Sequence, residues 1–211
     1  IEGYAMLLQD ESLSAEARSE YTERIVVSTR RLSTLVSNIL MITKIENQTM
    51  PFTLSSYRVD EQVRQSILLL ENKWSEKNIG FEMDMDSIEF CAVEGLLGNV
   101  WSNLIDNAIK FSPEGEIIYI SLKEKDDMLS FKIANRGEPM SGETLKRIFE
   151  KFYQGDTSHK REGNGLGLAL VKKIVRVHGG SVSAVNTEDG LIEFTVNLPA
   201  KCSCERCCGS N

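Results

Sequence analysis

The sequence predicts an α+β protein: an α-helical hairpin, then a two-layer α/β sandwich with helices on one face of a mixed, mostly antiparallel sheet. Two observations carry this. Ile25, Ser28, Leu32, Leu35, Ile39, Ile42 and Glu46 step by three and four, as a heptad seam does. Beyond residue 57 strand and helix signals alternate, and two of the strands are joined by the polar turn KDDM.

The elements follow in order. Ile1, Tyr4, Leu7 and Leu8 belong to one amphipathic helix, and DESLSAEA supplies a break with Ser14 as N-cap of the next. From Ser14 to Asn47 that helix is roughly 50 Å long at 1.5 Å per residue. Its stripe needs a partner, most simply a second copy of the chain. Residues 48–57 form a linker leading into a strand. Asp60 caps a helix lined by Val63, Ile67, Leu70 and Trp74. Ile79, Phe81, Met83 and Met85 alternate, as a half-buried strand requires. IEFCAV at 88–93 is another short strand. A helix with Leu97, Val100, Trp101, Leu104, Ile105, Ala108 and Ile109 on one side comes next. IIYISLKE and LSFKIANR are strands, followed by a glycine-bearing loop and a short helix. A glycine-rich helix start and two final strands, SVSAVNT and LIEFTVNLP, complete the domain.

Composition narrows the function. The 211 residues carry a net charge of −7, which argues against nonspecific nucleic-acid binding. No uninterrupted apolar run approaches a transmembrane helix, and ILLL at 67–70 is among the longest. The chain opens mid-pattern and reads as a piece of a longer protein. Of five cysteines, Cys91 reads as a small core residue. The other four crowd the tail KCSCERCC, whose spacing is not a usual zinc pattern. Residues 200–211 are therefore expected to be an exposed, disordered tail.

Three stretches carry chemistry. In NLIDNAIKFS, Asn103 and Asn107 sit four apart on one helical face, although Asn is a poor helix former. In EGNGLGLALVKKIVRVHGG, Gly163, Gly165 and Gly167 open a helix, where backbone N–H groups can approach an anion. The charged QGDTSHKRE before it looks like a mobile lid. In IANRGEPMSGE, Asn135 ends a strand and Gly137 follows, placing an acceptor beside a bend. The plain alternative for the two amides is that they face solvent; the spaced glycines also suit a dinucleotide-binding turn, but that follows its strand directly and needs a later acidic residue on a strand, whereas here a charged, loop-like stretch precedes them. His178 reads as a structural or capping residue and His159 as solvated. Phe149 and Phe152 read as packing residues that anchor the near end of the lid.

Taken in order, these pieces strongly resemble the catalytic domain of sensor histidine kinases, of the gyrase-like ATPase superfamily. NLIDNAIKFS resembles the N box, NRGEP the G1 box, RIFEKFYQGD the F box, and GNGLGLALVKKIVRVHGG the G2 box. Residues 1–47 resemble a truncated dimerisation and phosphotransfer hairpin, and 58–199 the ATP-binding domain. The resemblance implies ATP and Mg²⁺ as ligands, with Asn107 on the metal and Asn103 one turn back. It places Lys110 on a phosphate, Phe111 on adenine, and Asn135 accepting from the exocyclic amine, with Gly137 and Met140 in the same loop. Gly163, Gly165, Leu166 and Gly167 surround the phosphates, and Lys160 and Arg161 neutralise the terminal one. The implied partners are a second copy, through N-terminal helices weakened by truncation, and a response-regulator receiver domain. No membrane contact by this piece is implied, and the expected location is cytoplasmic.

The sequence departs from the family pattern at several points. Asn135 stands where Asp is common, Ile192 where Thr is common, and Gln154 where a basic residue is frequent. Met140 or a neighbour replaces the second glycine of the G1 box. The phospho-acceptor His is absent, because the chain begins inside the stretch that follows it. The implied reaction is transfer of the ATP γ-phosphoryl to that His and on to an Asp. Hydrolysis is disfavoured, since Asn103 occupies the place of the base and cannot take a proton. A non-catalytic nucleotide-binding scaffold of the same fold stays open as the alternative.

Overall fold

The structure is a computed structural model that describes residues 1–10, 12–47, 53–155 and 164–200. The Cys-rich tail and most of the expected linker lie outside these residues. The chain divides into two units, Ile1–Asn47 and Gln48–Asn211.

In the first unit, α1 (Glu2–Leu7) is followed by the 32-residue α2 (Ala15–Glu46). Ser14 is the N-cap, and its hydroxyl accepts from the Ala17 N–H at 3.2 Å. The bend between the helices is tied by Arg18, which donates to the Leu8 and Asp10 carbonyls, both at 3.2 Å. Tyr4 and Tyr21 stack across the helices with centroids 5.6 Å apart. Along α2, Leu32, Val36, Ile39 and Leu40 stay exposed. By length and composition α2 is long and apolar enough to cross a membrane, which a search for unbroken apolar runs overlooks. It also carries Arg30 and Arg31 side by side.

The second unit opens with β1 (Ser55–Arg58), α3 (Val59–Leu68) and α4 (Glu71–Glu76). Then come β2 (Gly80–Met85), β3 (Glu89–Ala92), α5 (Glu94–Phe111), β4 (Ile117–Lys125) and β5 (Met128–Arg136). It closes with α6 (Gly142–Arg147), α7 (Gly167–Val177), β6 (Ser181–Asn186) and β7 (Leu191–Pro199). Five strands form one sheet in the order β2-β4-β5-β7-β6, parallel only between β2 and β4. β1 and β3 pair separately. The β4–β5 turn places Asp126 and Asp127 both at positive φ (54° and 60°), the backbone of a two-residue hairpin that follows the sheet twist.

Strand alternation sets the layers. Ile118, Ile120 and Leu122 of β4, Leu129, Phe131 and Ile133 of β5, and Phe194, Val196 and Leu198 of β7 are buried on one face. α5 lies on β5, α7 on β6 and β7, and α3 beside α5. Trp101 of α5 meets Phe131 with centroids 4.7 Å apart. The opposite face carries Glu82, Tyr119, Lys132 and Glu193.

Three local expectations are corrected. The helix expected to run through Trp74 breaks after Leu68, leaving Leu69 81% exposed. The Ile67 carbonyl freed at the break accepts from the Leu70 N–H and from the Trp74 indole, each at 3.0 Å. Asp60 is not a cap; Arg58 holds the N-cap position, and its side chain makes no capping bond to the helix N–H groups. Cys91 is half-buried rather than a core residue.

Asp60 is 1% exposed and accepts two bonds from the Arg58 guanidinium, at 2.9 and 2.7 Å, and one from the Ile88 N–H at 3.2 Å. The Arg58 bonds hold its carboxyl below the ordinary range. Asp60→Ala leaves the buried Ile88 N–H without its acceptor. We expect a loss of about 2 kcal/mol in urea unfolding.

Candidate functional site

α5 has two sides. Leu97, Val100, Trp101, Leu104 and Ile105 are fully buried against the sheet and α3. The Trp101 indole donates to the Gln62 amide oxygen at 2.9 Å, and the Gln62 amide nitrogen donates to the Glu94 carbonyl at 2.8 Å. The half-buried side carries the amides. Asn99 donates to the Gly95 carbonyl and Asn103 to the Asn99 carbonyl, each at 2.7 Å. Such back-bonding ties one N–H of each NH₂ group to the helix backbone. Asn107, one turn on, differs: among the described residues none hydrogen-bonds its side chain. Lys110 lies over the Phe111 ring, 4.8 Å from its centroid, and that ring is 38% exposed.

Asn135 is the penultimate residue of β5, on the buried, helix-covered face. In register it stands between Ile118 of β4 and Ile192 of β7. It is 2% exposed, and its NH₂ donates to the Arg136 carbonyl at 3.0 Å. A carbonyl can only accept, so the amide cannot flip, and its oxygen remains the acceptor. A Cβ on Gly137 would lie 3.2 Å from Ile192 Cδ1, 3.3 Å from the Phe111 carbonyl oxygen and 3.4 Å from Asn135 Nδ2. The end of α5, the end of β5 and β7 therefore converge on Gly137. Met140 is clasped by Asn186, which accepts from its N–H at 3.0 Å and donates to its carbonyl at 2.8 Å.

The second glycine-bearing stretch meets the same helix. A Cβ on Gly167 would fall 2.5 Å from Asn103 Oδ1, so the start of α7 rests on the Asn103 amide. Leu166 is buried at the cap of α7. Gly165 has φ +64°, and a Cβ there would meet the Phe152 carbonyl carbon at 2.6 Å. Its own carbonyl accepts from the Phe152 N–H at 2.8 Å. Phe149 packs edge-on against Phe194 at 6.4 Å. Phe152 corrects expectation: its ring is 64% exposed, and its backbone, at φ 64°, makes the anchoring contact. His159, Lys160, Arg161 and Gly163 lie outside the described residues.

The structure thus joins Asn103 to Gly167, and Phe111 to Gly137 and Asn135. His178 lies at the far end of α7. Its Nδ1 donates to the Ile174 carbonyl at 2.9 Å, and its Nε2 accepts from the Val93 N–H at 3.3 Å. Nothing in the sequence pattern pointed to Lys77, whose ammonium binds carbonyls at the C-terminal end of α5.

Residues 92–201 match the family described as histidine kinase-, DNA gyrase B- and HSP90-like ATPase, and residues 1–48 match the His Kinase A (phospho-acceptor) domain. The chain belongs to the sensor histidine kinases. Among histidine-kinase relatives, the heme sensor protein HssS of Staphylococcus aureus is 31% identical over 182 residues, covering 86% of this chain and 39% of HssS. The chain therefore spans well under half the length of that relative. Full-length ShkA in complex with AMPPNP is 28% identical, with TM-score 0.76 over 96% of this chain and 43% of ShkA. The kinase ThkA in complex with the response regulator TrrA is 24% identical, with TM-score 0.76 over 95% of this chain and 56% of ThkA, a likeness of fold.

Two outcomes follow for this kinase chain. Gly165→Ala forces a side chain into a left-handed backbone that already touches Phe152; a loss of about 2 kcal/mol or more is expected by thermal denaturation. Burial pushes the His178 imidazole pKa down from 6.5. The unfolded chain therefore takes up the proton first. Stability is full above about 6.5 and falls as the pH drops through that value. His178→Gln is expected to lower stability at pH 7.5 and to flatten this part of the pH profile.

Proposed function

We propose that the chain is the ATP-binding catalytic core of a histidine protein kinase. It moves the ATP γ-phosphoryl to a histidine on the dimerisation helix, from which it passes to an aspartate of a response-regulator receiver domain. The observation that carries this is the convergence on one half-buried stripe of α5. Asn103 touches the start of α7 through Gly167, and Phe111 meets the Asn135–Gly137 bend.

Mg²⁺ fits the stripe by chemistry: a hard cation prefers oxygen ligands, and Asn107 offers an amide oxygen that is half-buried. When bound, the ion neutralises charge between the phosphates. The chain's own residues do the rest. Lys110 meets a phosphate and Phe111 lies against adenine. Asn135 presents an acceptor to the exocyclic amine of adenine, beside Gly137 and Met140. Gly163, Gly165, Leu166 and Gly167 wrap the phosphates with backbone N–H groups, and Lys160 and Arg161 neutralise the terminal one. Transfer is favoured over hydrolysis because Asn103 has no basic atom and its NH₂ is held by Asn99.

The acceptor is not His178, whose two ring nitrogens are both engaged. It is supplied by a dimerisation-helix segment that carries a histidine. The exposed Leu32, Val36, Ile39 and Leu40 suit a second copy of the chain, giving a homodimer. The catalytic part works on the cytoplasmic side, where ATP is. One observation favours a non-catalytic scaffold instead: both Asn135 and its register partner Ile192 are uncharged, so any bond to the base lacks the strength that an ionised acceptor gives.

Calorimetric titration with Mg·ADP tests the site. Binding is expected in the unaltered chain and loss of binding in Asn107→Ala, with stability changed by less than about 0.5 kcal/mol. Wild-type affinity in the variant would remove Asn107 from the site. Labelled γ-phosphate separates kinase from scaffold: a helix bearing the acceptor histidine should become labelled when added to the chain, and ATP binding without labelling favours the scaffold.

A further inference from the structure

We infer that Lys77 is a positioning residue for nucleotide binding, acting through the C-terminal end of α5; this rests on the reading of that helix end as part of the nucleotide site. The last four carbonyls of a helix have no partner within it. In α5 they are accounted for one by one. The Ala108 carbonyl accepts from the Ser112 N–H at 3.0 Å and the Ser112 hydroxyl at 2.7 Å. Those of Ile109 and Lys110 accept from the Lys77 ammonium, each at 2.9 Å. The Phe111 carbonyl faces Gly137.

The third proton of the same ammonium goes to the Ser112 carbonyl at 2.8 Å, just past the helix end. All three donors of the lysine are thus spent on the backbone that carries Lys110 and Phe111. The Lys77 main chain adds a fourth tie: its carbonyl accepts from the Gly115 N–H at 2.8 Å. Next to it, the Gly80 N–H donates to the Glu116 carbonyl at 3.0 Å, where β2 begins to pair with β4. The end of α5 is therefore clamped to the start of the sheet by one side chain. A cation at a helix C-terminus also suits the partial negative charge there. A bound ammonium with this geometry sets the direction in which Lys110 and Phe111 leave the helix. The side chain is half-buried, and its ammonium is held by the three carbonyls.

Mg·ADP titration of the full chain, well below its melting temperature, tests this. Lys77→Met is expected to weaken affinity about tenfold. Lys73→Met, which removes an exposed α4 lysine paired with Asp106 of α5, is expected to leave it unchanged. The discriminating readout is coupling: in a Lys110→Ala background, Lys77→Met should cost much less affinity, because the group it positions is gone. A merely structural lysine lowers the melting temperature equally in both backgrounds and leaves the affinities of folded protein alone. Should the methionine variant fail to fold, Lys77→Gln keeps two of the three N–H donors on a shorter side chain, and a loss of about threefold is expected. Unchanged affinity in a folded Lys77 variant, or full additivity with Lys110→Ala, overturns the inference. Absence of binding by the unaltered chain overturns the nucleotide reading, and this inference with it.

Discussion

Trp101 is fully buried and stacks against Phe131 of β5, and this contact decides which way the rest of α5 can face. Eight apolar residues from Leu96 to Ile109 share its buried side. Each large one is worth about 1.5–3 kcal/mol when removed from water, against about 1 kcal/mol for a typical hydrogen bond. Turning the helix to bury the asparagines would lose far more than any amide could return. The site stripe is thus what remains once the core has taken its share. Asn103, Asn107 and Lys110 are half-buried because the opposite side is wholly buried.

The glycines then act as distance limits. At Gly167 another carbon would collide with the Asn103 amide, and at Gly137 it would press tightly on Ile192, the Phe111 carbonyl and Asn135. At Gly165 the limit is doubled by a left-handed backbone. These contacts place two loops against the two ends of one short stripe, from Asn103 to Phe111, about two helical turns apart. The polar groups that remain, Asn135 above all, are oriented by backbone partners rather than by other side chains.

Much of this was legible in the sequence. Alternation gave the strand positions of β4, β5 and β7, and 3–4 spacing gave the buried side of α5. Ser14 announced its own role by type and position. What escaped notice was non-local. The α3–α4 break has no proline or glycine; Leu69 and Leu70 look like continued helix, and the indole of Trp74 that satisfies the broken end is visible only in three dimensions. Asp60 has the composition of a cap, but its partners are Arg58 and Ile88, the latter brought by pairing of β1 with β3. Lys77 sits in a polar run that reads as surface, and its role depends on carbonyls some thirty residues away. Phe152 was legible as an anchor, yet the anchoring atoms are main chain.

The parallel pairing of β2 with β4 has a consequence for how the molecule comes together. Neighbouring parallel strands need a crossover, and here the segment between them contains β3 and α5. α5 is thus enclosed by the covalent path of the chain. Pairing β2 with β4 closes a loop that holds a strand and a long helix, whereas the β4–β5 hairpin closes through a two-residue turn, so the first pairing carries the larger loop-closure entropy. The helix that bears the asparagines is therefore ordered inside the loop that the pairing of the edge strand closes.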